Sequence, residues 1–93
     1  MKLVILIPSY NEEDTIGKVI SNIPHSITGM DEIVTLVIND GSQDKTTRIA
    51  KDSGAMVVSH SQNQGVGIAF QTGLSTALKM EADIMVNIDA DCH

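Results

Sequence analysis

At 93 residues the chain is one domain at most, and an apolar share of 42% suits a folded core rather than a disordered segment. The formal charge of −6, with six Lys and Arg that do not cluster, argues against nucleic acid as a partner, because a polyanion is held by grouped basic side chains. Cys92 is the single cysteine, which excludes an internal disulfide.

The first apolar run, 3–7, is too short for a signal-peptide core or a membrane span and is stopped by Pro8, so it reads as a buried strand. With no targeting segment in view, the expected location is cytoplasmic, membrane association being left to parts of a full-length protein. Ile16, Val19, Ile20 and Ile23 then fall on one helical face, with Asn11 as N-cap, acidic residues in the first turn and Pro24 as the stop. A second strand is predicted at 33–38. A weakly amphipathic helix follows at about 44–53, carried by Ile49 and Ala50 and ended by Gly54. The third strand is expected at 55–58. Val66, Ala69, Phe70, Gly73, Leu74, Ala77 and Leu78 make a helical stripe, and the fourth strand is read at 84–88. The strand runs are continuous rather than alternating, as in strands covered on both faces.

Strands and helices therefore alternate, which predicts an α/β fold with a parallel sheet and right-handed crossovers. The expected architecture is a Rossmann-like three-layer sandwich with four strands in the order 3-2-1-4 and helices on both faces. The switch point lies between the first and fourth strands.

Each strand is followed by a polar cluster: Pro8 to Glu13, Asn39 to Ser42, Ser61 to Gly65, and Asp89-Ala90-Asp91. Each alone is ordinary turn chemistry. All four fall on the carboxyl edge of the sheet, where open parallel sheets bind ligands. Two carboxylates one residue apart, Asp89 and Asp91, can approach one hard divalent cation and leave positions for phosphate oxygens; a solvated acidic turn is the plain alternative. Asp40 can accept from the N–H edge of a nucleobase, with Gly41 letting the backbone pass close to the ligand, or else form an Asx-turn, although Asp44 is the better helix cap. His25 and His60 are expected at the surface, and Cys92 in a turn. His93 stands two residues after Asp91.

Taken together, Ile-Leu-Ile-Pro-Ser-Tyr-Asn-Glu-Glu at 5–13, Val-Ile-Asn-Asp-Gly-Ser-Gln-Asp-Lys-Thr at 37–46, Asn-Gln-Gly-Val-Gly-Ile-Ala at 63–69 and Asn-Ile-Asp-Ala-Asp at 87–91 resemble family 2 glycosyltransferases. Order and spacing match across the whole chain, and the pattern is most similar to the dolichol- or polyprenyl-phosphate sugar transferases. The resemblance implies a GT-A fold, a UDP- or GDP-linked sugar donor, Mg²⁺ or Mn²⁺, inversion at the anomeric carbon and transfer to an acceptor such as a polyprenyl phosphate. Carried over by position, Pro8, Tyr10 and Glu12 line the nucleoside pocket, Asp40 contacts the base, and Asn39 and Gly65 belong to the nucleotide-binding set. Asp89 sits near the ribose and metal, and Asp91 is the main metal ligand. Two departures stand out: Asn39 replaces a common first Asp, and Val66 stands where the Gly-x-Gly segment often has Lys.

The resemblance further implies that residues 1–93 are the nucleotide-sugar-binding half of such a domain, with the acceptor half and the catalytic base in sequence not present. A chain of this kind is expected to bind nucleotide without transferring sugar, and to form homo-oligomers through the uncovered edge of the fourth strand. A non-catalytic nucleotide- or partner-binding module is the alternative. A nicotinamide-binding fold would need Gly-x-Gly-x-x-Gly after the first strand, where Pro8 to Asn11 stand. A phosphatase with an Asp-x-Asp nucleophile would carry that pair on its first strand rather than its fourth.

Overall fold

The structure, a computed structural model, describes residues 1–90. In chain order it comprises β1 (Lys2–Ser9), α1 (Ile16–Ser21), β2 (Glu32–Asp40), α2 (Thr46–Asp52), β3 (Met56–His60), α3 (Val66–Lys79) and β4 (Ile84–Asn87). The four strands form one parallel sheet in the order β3-β2-β1-β4, as the alternation predicts.

Side chains alternate across β1 and feed two cores. Leu3, Ile5 and Ile7 point to the face covered by α1 and α2, where they meet Val19, Ile20 and Ala50. Val4 and Leu6 point to the other face, with Leu36 and Ile38 of β2 and Ala69 and Ala77 of α3. Both faces of the central strands are thus dry, which is why their sequence is an unbroken apolar run. Each fully buried Ile, Leu or Val contributes roughly 1.5–3 kcal/mol of transfer free energy.

Two helix starts differ from the expectation. The first helix begins at Ile16, with Thr15 as N-cap, rather than after Asn11. Asn11 instead takes a left-handed conformation (φ 51°); its N–H donates to Ser42 Oγ at 2.9 Å and its Oδ1 accepts from Gln43 N at 2.9 Å. Those bonds commit Asn11 to the neighbouring loop and postpone the helix. The second helix starts at Thr46, and Asp44 serves it from just outside, Oδ1 accepting from Thr46 N at 2.9 Å. Gly54 ends the turn with φ 95°, and Ala55 N reaches back to Ala50 O at 3.1 Å, as in a Schellman motif.

The stripe of α3 is narrower than its periodicity suggests. Ala69, Gly73 and Ala77 are buried, whereas Val66 and Leu78 are 76% and 60% exposed. The reason is close approach: a Cβ on Gly73 would stand 2.7 Å from Ile38 Cδ1. Small residues let α3 settle low on the sheet, and the larger apolar side chains flanking that line are left outward. Among the described residues, no helix is long and apolar enough to cross a membrane.

Candidate functional site

The parallel order brings the ends of all four strands to one edge, and the loops there are braced to each other by side-chain to backbone bonds. Glu12 N donates to Thr46 Oγ1 at 2.8 Å, and Glu13 N to Asp44 Oδ2 at 3.2 Å. Thr15 Oγ1 donates to Ala90 O at 2.8 Å, tying the loop after β1 to the segment after β4. Asp40, the last residue of β2, accepts from Gln64 N and Gly65 N, each at 2.9 Å, and so clamps the loop that leads into α3.

Gly41 makes that clamp sterically possible. It has φ +78°, and a Cβ there would lie 2.4 Å from Asn63 N. The close approach expected of Gly41 toward a ligand is, in the structure, an approach to the chain's own backbone.

A cavity of about 250 Å³ opens between these loops, and Pro8, Tyr10, Glu12, Asp40 and Asp89 all line it, together with Asn63. Five of the residues expected to touch nucleotide therefore share one surface. Asn39 and Gly65 stand behind it. Asn39 Nδ2 donates to Ser59 Oγ at 3.3 Å and its Oδ1 accepts from Ser42 N at 3.0 Å, while Gly65 supplies its N–H to Asp40. Asp91, Cys92 and His93 lie outside the described residues. Tyr10, one of the lining residues, is 45% exposed. A larger groove of about 660 Å³, lined by Ile23, Pro24, Ile33 and Met56 among others, lies at the opposite, amino-terminal end of the strands and has no carboxylate in its lining.

Asp40 is only 3% exposed. Burial pushes its carboxyl up, but the bond from His60 and the two backbone N–H groups outweigh that effect and hold it below the usual carboxylate range. Asp40 therefore stays charged at neutral pH, and Glu12 and Asp89 add two further carboxyl groups to the same wall. Such a surface repels a bare diphosphate and accepts one that arrives with a cation. Glu12 and Asp89 are hard oxygen donors of the kind that Mg²⁺ and Mn²⁺ take, so the donor chemistry fits. Among the described residues no three ligating side chains converge on one point.

His60 corrects the sequence reading. It is not a surface residue: its side chain is 10% exposed, Nδ1 lies 2.8 Å from Asp40 Oδ1, and Nε2 lies 2.8 Å from Thr72 Oγ1. The available signal was positional. Asp40 and His60 each end a strand, and in adjacent parallel strands they are register partners.

The sequence profile of glycosyl transferase family 2 matches residues 4–93. A protein of Methanocaldococcus jannaschii with no assigned function is 39% identical over 97% of this chain and 35% of its own length. The UDP-N-acetylglucosamine–dolichyl-phosphate N-acetylglucosaminyltransferase of Methanococcus voltae is 34% identical over 96% of this chain and 41% of its own. Among solved structures, glucosyl-3-phosphoglycerate synthase from Mycobacterium tuberculosis, in complex with Mn²⁺, uridine diphosphate and glucosyl-3-phosphoglycerate, superposes with a TM-score of 0.80 at 35% identity. That match covers 97% of this chain and 33% of the other. The chain thus spans well under half the length of these relatives.

Proposed function

We propose, from the premise that this chain belongs to glycosyl transferase family 2, that it binds the nucleoside-diphosphate part of a sugar donor in a metal-assisted glycosyl transfer. The observation that carries the reading is the convergence of Pro8, Tyr10, Glu12, Asp40 and Asp89 on one cavity at the carboxyl edge of the sheet. Each has a part in it. The exposed Tyr10 ring offers a face for the base, Asp40 accepts from a ring N–H of the base, and Asp89 lies toward the ribose and diphosphate. Asn39 and Gly65 hold Asp40 and its loop in position. Asp89 and Asp91 would hold Mg²⁺ or Mn²⁺, which supplies charge neutralisation to the departing diphosphate.

Relatives supply the class of the ligands. One acts with UDP-N-acetylglucosamine on a dolichyl phosphate, and the mycobacterial synthase binds uridine diphosphate with Mn²⁺. We assign the whole protein the transfer of a sugar from a nucleoside diphosphate to an acceptor such as a polyprenyl phosphate, with inversion. No residue of 1–93 is assigned as the base that deprotonates the acceptor.

Titration calorimetry with UDP, in the presence and absence of Mn²⁺, tests the nucleoside assignment. Tyr10→Ala removes an aromatic face worth roughly 1–3 kcal/mol per stacked base, so UDP affinity is expected to fall about tenfold or more in both conditions. Asp40→Ala removes a charged hydrogen-bond acceptor, about 1.5–3 kcal/mol, and is expected to weaken UDP binding with or without metal. Thermal unfolding confirms that each variant is folded. Wild-type affinity in both folded variants would mean that the base binds elsewhere.

A further inference from the structure

His60 does more than fill the space between β3 and α3. A carboxylate has about four lone-pair positions. On Asp40, Oδ1 faces His60 Nδ1 and Gln64 N, and Oδ2 faces Gly65 N, so three of the four are occupied from within the protein. One position on Oδ2 is left, on a residue that lines the cavity. At its other ring nitrogen, Nε2, His60 meets Thr72 Oγ1 of α3. With a partner at each nitrogen, the ring cannot flip without losing both bonds.

We propose that His60 is a positioning residue for nucleotide binding: through Nδ1–H it holds Asp40 turned so that its remaining lone pair meets the nucleobase. The Thr72 hydroxyl holds the ring in the orientation that makes this possible. The inference rests on the reading of Asp40 as the base contact.

The ionisable groups that touch Asp40 or share its cavity define the alternatives. His60 comes from β3, Glu12 from the loop after β1, and Asp89 from the segment after β4. In α3 the only ionisable side chain is Lys79, at its far end. Asp44, in the loop after β2, is engaged with Thr46 and Glu13. His60 is the one side chain that donates to the Asp40 carboxylate among the described residues.

Three substitutions separate donation to Asp40 from simple bracing. In His60→Asn the amide nitrogen stands near the place of Nδ1 and keeps the bond to Asp40 while losing Thr72. In His60→Gln the amide reaches the place of Nε2 and keeps Thr72 while losing Asp40. His60→Leu loses both. UDP dissociation constants from calorimetry are expected to stay within about threefold of wild type for the Asn variant and to rise about tenfold or more for Gln and Leu, the loss typical of a hydrogen bond to a charged group.

A pH series supplies a readout that bracing alone would not move. His60 is one of the groups that depress the Asp40 carboxyl. Affinity that needs ionised Asp40 is complete above that depressed value and is lost as pH falls through it. Without the His60 bond, burial is less opposed and the carboxyl titrates higher. The Gln and Leu variants should therefore begin to lose UDP at higher pH than wild type, with Asn following wild type. The titration of UDP itself is common to all four proteins and cancels in the comparison.

Equal affinities and coincident pH profiles for Gln and wild type would reduce His60 to a brace, and so would an Asn variant as weak as Leu. If Leu fails to fold, the Asn and Gln pair still decides. Wild-type UDP affinity in Asp40→Ala would remove the base-contact reading itself, whereas a weakened Asp40→Ala beside an unaltered His60→Gln would overturn this proposal alone.

Discussion

Replacing Asp91 with Asn is expected to abolish the Mn²⁺-dependent part of UDP binding and to leave the metal-independent part near its wild-type value. Asp91 lies outside the described residues, so the expectation rests on its place in Asp89-Ala90-Asp91 and on the electrostatics of the cavity that Asp89 lines. Glu12, Asp40 and Asp89 present three carboxyl groups to a ligand that is itself an anion. A divalent cation reverses that repulsion only if it is held, and Asn keeps the shape of the side chain while removing its charge. Altering only the groups that hydrogen-bond to a metal's ligands weakens metal sites about 10–100-fold, so the loss of a direct carboxylate ligand should reach on the order of 100-fold in the metal-dependent term. Calorimetric titration of UDP with and without Mn²⁺ measures it. The same metal increment in wild type and Asp91→Asn would rule out Asp91 as a ligand.

The second large effect is structural and falls on Gly41. Gly41→Ala places an L-residue at φ +78° and drives its Cβ to 2.4 Å from Asn63 N and 2.5 Å from Gln62 C. A left-handed backbone costs a non-glycine residue roughly 1–2 kcal/mol, and forcing atoms into a packed contact adds roughly 1–3 kcal/mol. The obstructing atoms are backbone, so no side chain can swing aside. We expect a loss of about 2–5 kcal/mol in urea unfolding. Gly54→Ala is the control: it shares a positive φ of +95° but has nothing within 4 Å of its Cβ, so it should bear the conformational cost alone. Equal losses in the two variants would show that the two loops part without cost.

The fold could be read from the sequence because its signals are local. Leu3 to Ile7 and Leu36 to Ile38 are buried on both faces, and continuous apolar runs of β-branched residues say so directly. Placing the polar clusters needed only the rule that parallel strands share a carboxyl edge, and that rule brings Pro8, Tyr10, Glu12, Asp40 and Asp89 to one cavity. What stayed hidden was tertiary. Asn11 reads as a helix cap by residue type, but its side chain is claimed by Gln43 N, a partner 32 residues away. The exposure of Val66 and Leu78 follows from how low α3 rides on Ile38, which periodicity does not encode. His60 has no neighbour in sequence that marks it as special, and its meaning comes from β2–β3 register.

Strand β1 lies between β2 and β4, and the two pairings close spans of unequal length. The link from Asn11 to Ser42 joins residues 31 apart, whereas that from Lys2 N–H to Asp83 joins residues 81 apart. Loop-closure entropy makes the longer closure costlier by about 0.8 kcal/mol, scaling as (3/2)RT ln n. Contacts distant along the chain also tend to form later. Synthesis supplies the two walls of the cavity in order, Asp40, His60 and the loop before α3 first and Asp89, after β4, last. A chain emerging from the ribosome would acquire the means to hold a base while the means to hold a diphosphate was still being made.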